Sequence, residues 1–227
     1  MTYALLVLAY LIGAIPTSYI IGKAFHGIDL REHGSGNLGA TNAFRILGAK
    51  SAIPVVLLDM AKGFVPAWFF GDLAGVGFGW TLAFGSAAIL GHMFSVWVGF
   101  KGGKGMATSA GVFVSLAPWA VLGSLVVWLA LTFGTGYVSL GSIVAAILTP
   151  ILVALTPHEG GDTLLWFSVA LAVVVVWAHR SNIGRLLRGE ENRFGRHGSA
   201  ADSAAGSAAG SAVQDAGAGR TGGETDT

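Results

Sequence analysis

The chain contains no cysteine. That removes disulfides, thiolate nucleophiles and cysteine–zinc sites from consideration. Charge is almost as scarce. Only 11% of the 227 residues are Asp, Glu, Lys or Arg, well under the share in an ordinary soluble domain. Lys and Arg are missing altogether between Gly105 and His179. What fills the space is apolar: 53% of residues are hydrophobic and the mean hydropathy is +0.68. The chain therefore reads as a polytopic membrane protein. Its 35 glycines suit helices that approach closely in lipid.

A helix needs roughly 20 apolar residues to cross the hydrocarbon core. Six apolar runs stand out, at residues 3–25, 51–71, 76–98, 106–133, 137–156 and 163–178. The first is too long for a signal-peptide core and lacks a basic leader, so it reads as a retained span. Residues 1–197 form the membrane-embedded domain on this reading. Residues 198–227 are Gly/Ala/Ser repeats with too little apolar content for a core, and are expected to be disordered.

The cations fall into three segments. Lys23, Arg31, Arg45 and Lys50 surround the first loop. Lys101 and Lys104 follow the third run, and Arg180, Arg185, Arg188, Arg193 and Arg196 follow the last. The positive-inside rule places all three in the cytoplasm and the N-terminus outside. The crossings between Lys104 and Arg180 must then be even in number, yet three runs lie there. Pro118 interrupts the long run 106–133, since proline disfavours the α conformation at the residue before it. Splitting the run there predicts an all-α bundle of seven spans. A bundle of five, with one non-crossing segment, is the alternative.

Three polar stretches carry the candidate chemistry. In the first, residues 33–45, Ser35 lies between glycines, Asn37, Thr41 and Asn42 can orient polar ligand groups, and Arg45 can hold a phosphate through two parallel bonds. An ordinary Asn/Gly/Ser turn has the same composition. The second, residues 99–105, packs Lys101, Lys104 and four glycines into seven residues. Backbone amides of Gly102 and Gly103, two ammonium groups and a helix starting near Met106 would make an anion site. A glycine-rich turn with two cytoplasmic lysines is the plainer reading. In the third, His179, Asn182 and Arg185 recur every three residues and share a helix face. That face either enters a polar site or belongs to an amphipathic helix attracted to anionic lipid.

Two further positions are singled out. Asp59 and Lys62 lie inside the second run at a spacing that lets them pair on one helix face; Lys62 reaching the cytoplasmic site is the weaker alternative. His92 reads as hydrogen-bonded packing. No second histidine or carboxylate stands at ligand spacing from it, so no metal is expected.

The three stretches together resemble the bacterial acyl-phosphate:glycerol-3-phosphate acyltransferases. Gly34-Ser35-Gly36-Asn37, Gly39-Ala40-Thr41-Asn42 and Arg45 resemble the family's first motif. Gly91-His92 with Lys101-Gly102-Gly103-Lys104-Gly105 and Ala107-Thr108 resemble its second. His179, Asn182-Ile183, Arg185-Leu186, Gly189 and Glu191 resemble its third. Asp59, Lys62-Gly63 and Pro66 also match a family pattern. The likeness runs from Met1 to Arg193. One departure is Leu38, where the family has proline, which is expected to loosen the first loop while removing no polar group.

The resemblance implies a seven-helix bundle with its motifs on the cytoplasmic face of the inner (plasma) membrane. It implies transfer of a fatty acyl group from acyl phosphate to the 1-hydroxyl of glycerol 3-phosphate, giving lysophosphatidic acid for phospholipid synthesis. No cofactor, metal or nucleic acid enters. The partners are the two substrates, membrane lipid and, functionally, the enzyme that makes acyl phosphate. Ser35, Lys104 and His179 are then the candidate catalytic residues. Asn37, Thr41, Asn42, Arg45, Lys101, Gly102, Gly103, Asn182 and Arg185 are the candidate substrate-binding residues. His179 would orient the substrate or act as base, or a substrate phosphate would take the proton instead. A covalent acyl-Ser35 is not expected, because no histidine–carboxylate pair stands beside it. A phosphate-ester transporter is the reading from another class. Against it, the basic segments cluster on one side and only Asp59 and Lys62 mark the interior. A non-catalytic membrane anchor does not need three dispersed motifs.

Overall fold

A computed structural model describes residues 1–194, and all regular structure among them is helical. The expected boundary at 197/198 and the tail beyond it lie outside the described residues. The chain runs α1 (Thr2–Ala14), α2 (Thr17–His26), α3 (Ala40–Leu47), α4 (Ala49–Ala74) and α5 (Phe78–Met93). A short 3-10 turn (Val96–Val98) follows, then α6 (Met106–Leu116), α7 (Pro118–Thr135), α8 (Val138–Leu155), α9 (Gly161–Ala178) and α10 (Arg180–Leu187).

Two of the apolar runs are broken. The first, expected as one span, is divided between α1 and α2 with a bend of 43°. Pro16 stands at the break and lacks the amide a continuous helix needs there. The second break was expected. Ala117 has φ −150° and ψ 67°, outside the helical region, and α7 begins on Pro118, where a missing amide costs nothing. Among the described residues five helices are long and apolar enough to cross a membrane, or six if α1 and α2 are taken together as one bent span. At 11 residues, α6 rises only ~16 Å, about half the hydrocarbon thickness.

The packing of α6 explains how so short a helix is held. Gly63 of α4 faces the backbone of Thr108, and Gly111 of α6 faces the backbone of Met60. A methyl group at either glycine would overlap that backbone, so the two helices meet main chain to main chain. Farther along, α7 packs on α8 and α8 on α9. The core between them includes Val112, Phe113, Ala117, Ala120, Val153, Leu164 and Val175.

A second apolar cluster lies under the first polar loop. Leu30, Leu38, Ala43, Val55 and Val98 are buried there. Leu38 is 4% exposed. The expected loosening at Leu38 is therefore replaced by its opposite: the side chain pins the loop by burial. Arg31 reinforces the loop through paired bonds to Asp29, Nε to Oδ1 at 3.0 Å and Nη2 to Oδ2 at 2.7 Å. The second half of this polar stretch, which carried no helical expectation, is the two-turn helix α3.

Candidate functional site

The three polar stretches meet around one cavity of about 370 Å³. Ser35, Asn37, Thr41, Asn42 and Arg45 reach it from the first loop and α3. Lys104 reaches it from the glycine-rich loop, and His179, Asn182 and Arg185 from α10 and its N-terminal flank. From that polar end the cavity runs on between α6, α7, α8 and α9, where Phe113, Val121, Leu125, Ala145, Leu171 and Val175 line it.

Two helix starts contribute backbone. Gly39 and Gly105 occupy the N-cap positions of α3 and α6, and no side chain caps either helix. Gly39, Ala40 and Thr41, and Met106 and Ala107, line the cavity. First-turn amides without a capping side chain, at the positive end of the helix dipole, suit an anionic ligand. Gly105 has φ +79°, a conformation that glycine adopts without strain.

Glu191 organises the third stretch. Its Oε1 accepts bonds from Asn182 Nδ2 at 2.7 Å and Ser139 Oγ at 2.9 Å, and its Oε2 accepts one from Arg185 Nε at 2.7 Å. Burial alone would push this carboxyl up, but the bonds from Asn182, Arg185 and Ser139 outweigh burial and hold it below the usual carboxylate range. Asn182 accepts in turn from Lys104 Nζ through its Oδ1. One carboxylate thus aligns an amide, a guanidinium and, through the amide, an ammonium.

Three cations remain for that single carboxylate. Burial lowers the Lys104 ammonium to about 8, helped by Arg185 and Arg45 and opposed by Glu191. Burial also lowers the Arg45 guanidinium, which no described side chain holds by a hydrogen bond or ion pair. His179 is buried, and desolvation lowers it to about 4, against the opposing bond from its Nδ1–H to the Val175 carbonyl at 2.8 Å. Its ring is therefore neutral at pH 7, with Nε2 left as a hydrogen-bond acceptor.

Four of the expected site residues are otherwise engaged or stand outside the cavity. Asn42 lines the cavity, but its amide is spent on the loop. Its Nδ2 donates to the carbonyls of Leu30 and His33 at 3.1 and 3.0 Å, and its Oδ1 accepts from the Ser35 amide at 3.0 Å. It shapes the loop. The amides of Gly102 and Gly103 are likewise committed, each donating at 3.0 Å to the carbonyl of Met93 or His92 respectively. They close the end of α5 and leave the anion-binding role to the backbone farther on. Lys101 is exposed and does not line the cavity. The composition of the loop could not distinguish its two lysines. Lys62 pairs with Asp59 at 2.6 Å, as the preferred reading had it, and turns toward α1 and α2 rather than toward Lys104.

Glu191 and Ser139 were not among the expected site residues. Glu191 stood inside the third motif, and its signal was an acidic residue ending a basic helix. Ser139 carried no signal, since its role arises from α8 packing beside α10.

A half-buried cationic end opening into a largely apolar cavity within a helical bundle has the chemistry to suit phosphate-bearing amphiphiles. Comparison with known proteins narrows this. The family model for glycerol-3-phosphate acyltransferase matches residues 3–189. A glycerol-3-phosphate acyltransferase of Fusobacterium nucleatum is 45% identical over 192 residues, covering 85% of this chain and 97% of the relative. One from Trichlorobacter lovleyi is 47% identical over 189 residues, covering 82% and 94%. The crystal structure of PlsY (YgiH), an integral membrane glycerol 3-phosphate acyltransferase, in its glycerol 3-phosphate form superposes with a TM-score of 0.79 at 40% identity, covering 86% of this chain and 96% of that one. Its lysophosphatidic acid form gives a TM-score of 0.77 at 39% identity. The chain belongs to the glycerol-3-phosphate acyltransferase family.

Two predictions follow from the charges. Lys104 is cationic below its value of about 8 and loses that charge above it. The acyl-transfer kcat/KM should therefore fall as pH rises through about 8. Lys104→Arg should abolish that limb, because arginine stays charged. An unchanged limb in the variant would assign it to another group. Glu191→Gln keeps the shape but removes the charge. A bond to a charged group is worth about 1.5–3 kcal/mol, so kcat/KM should drop about 10- to 100-fold with helix content retained. Wild-type kinetics would deny Glu191 its organising role.

Proposed function

We propose that this chain transfers a fatty acyl group from acyl phosphate to the 1-hydroxyl of glycerol 3-phosphate. The products are lysophosphatidic acid and inorganic phosphate. The observation that carries this reading is the convergence of Arg45, Lys104 and Arg185 on the polar end of an apolar cavity. That end suits two phosphate-bearing substrates, and the apolar length suits a fatty chain.

The donor is a mixed anhydride with phosphate as a good leaving group. The enzyme's main task is then to hold the hydroxyl against the carbonyl carbon, and such positioning can lower a barrier by about 7–11 kcal/mol. The glycerol O1–acyl carbon bond forms, the carbon–oxygen bond to phosphate breaks, and the hydroxyl proton leaves with a phosphate oxygen. Arg45, Lys104 and Arg185 bind the phosphates and stabilise the departing one. Ser35, Asn37, Thr41 and Asn182 hold substrate oxygens. His179, neutral and with Nε2 open, accepts a hydrogen bond from the attacking hydroxyl. Its low pKa makes it a poor keeper of the proton, which favours the substrate phosphate as proton acceptor.

For topology we propose seven crossings, the N-terminus outside and the site on the cytoplasmic face of the inner (plasma) membrane. Support comes from the path of the chain. It leaves the cationic end of the cavity after Lys104, lines the rest of it through α6 and α7, and by Ser139 is back beside Glu191, so α6 and α7 act as two legs. The supply of acyl phosphate then comes from the same side, which links this enzyme to the one that makes that anhydride.

Purified protein supplied with palmitoyl phosphate and glycerol 3-phosphate should yield lysophosphatidic acid and phosphate in equal amounts, and palmitoyl-CoA should not replace the donor. Equal rates with the thioester would overturn the donor assignment; uptake of glycerol 3-phosphate into vesicles without acylation would favour transport. Topology is testable because the chain has no cysteine of its own. In intact cells an impermeant maleimide should label Asp72→Cys and Glu159→Cys but not Thr135→Cys. External labelling of Thr135→Cys would favour five spans.

A further inference from the structure

In the wall of the cavity, which Asp59 and His92 help to line, lies a buried polar cluster that the mechanism above does not use. Lys62, 6% exposed, is held at Nζ by three oxygens: Asp59 Oδ1 at 2.6 Å, the Ile15 carbonyl at 2.7 Å and Thr17 Oγ1 at 2.8 Å. An ammonium has three protons, and each has an acceptor. Thr17 donates its hydroxyl to Asp59 Oδ1 at 2.5 Å. The Ile15 carbonyl belongs to the break ahead of Pro16, where the helix does not continue. The cation thus fastens α4 to the bend between α1 and α2.

His92 of α5 stands between this cluster and the glycine-rich loop. Its Nδ1 lies 3.5 Å from Lys62 Nζ and 3.8 Å from Asp59 Oδ1. Its Nε2 lies against Gly103, where a methyl group would collide with the ring, and its carbonyl accepts from the Gly103 amide. Lys104 is the next residue. An ion pair inside a membrane is costly and marks function by default, and surrounding apolar residues could hold α4 against α1 without one.

We propose that Asp59, Lys62 and His92 are positioning residues for Lys104. The ion pair packs behind the imidazole at Nδ1, and the imidazole is the backstop on which Gly103 rests, so the loop presents Lys104 to the cavity at one height. The proposal rests on the site reading given above, and its test has a readout independent of activity.

The test uses full-length protein in detergent, with Asp59→Asn/Lys62→Met, His92→Leu and His92→Gln compared with wild type. The double variant removes both charges together, so no lone charge is left buried. Amide hydrogen exchange is followed in the loop, where Gly102 and Gly103 donate to α5, and in α7 to α9. The kcat and KM for both substrates are measured in parallel. Loop protection should fall at least tenfold in the double variant and in His92→Leu while α7 to α9 keep theirs. Acyl transfer should fall at least tenfold in those two, and His92→Gln, which keeps hydrogen-bonding groups, should recover part of both. Unchanged loop exchange in folded double variant and His92→Leu would overturn the proposal. Loss of protection spread evenly over all helices would also overturn it, by showing that the cluster serves bundle stability alone. Failure of wild-type protein to acylate would instead count against the proposed function, and the exchange result would stand apart from it.

Discussion

Three cations sharing one carboxylate is the constraint around which this molecule is arranged. Arg45, Lys104 and Arg185 line the same end of one cavity, and Glu191 alone among their paired neighbours carries the opposite charge. Such a cluster costs free energy, because burial strips water from like charges. The Lys104 ammonium is lowered first by burial and then by Arg185 and Arg45. An anion placed among the three cations offsets that cost. Glu191 does not neutralise the cluster so much as aim it, through Asn182 and Arg185.

The bundle supports this charge in two ways. The helices at the cationic end meet closely: α6 lies main chain against main chain on α4, which fixes where the Lys104 segment begins. The polar loop before α3 is held by buried Leu38 and by Asn42, whose amide reaches two carbonyls and one N–H. Away from that end, α7, α8 and α9 enclose the cavity with side chains. Its polarity therefore changes along its length, from guanidinium and ammonium to valine and leucine. That gradient matches a molecule with a phosphate at one end and a hydrocarbon at the other.

Much of this was legible in the sequence. The break at Ala117 follows from Pro118 and from the need for an even number of crossings. The common face of His179, Asn182 and Arg185 follows from their spacing, and the Asp59–Lys62 pair from theirs. Other features were hidden because they depend on what lies opposite. Lys101 and Lys104 are alike in composition, and only the packing of the loop on His92 separates them. Gly102 and Gly103 looked like anion donors because free glycine amides are; here the end of α5 had prior need of them. Ser139 is unremarkable in its helix and matters only because α8 runs beside α10. Asn42 has the right chemistry for a ligand, yet the loop uses all of it.

The contrast between the two ends of the cavity bears on how this enzyme can diverge. At the cationic end, positions such as Gly63 and Gly111 sit where backbones touch, and almost any replacement displaces a neighbour. Away from that end, Val121, Leu125, Ala145, Ala146, Leu171 and Ala172 line the cavity. Exchanging a small residue for a larger one there shortens the space without moving a cation, and the reverse lengthens it. Under the proposed function, that apolar length is the part of the site open to change without disturbing the cations.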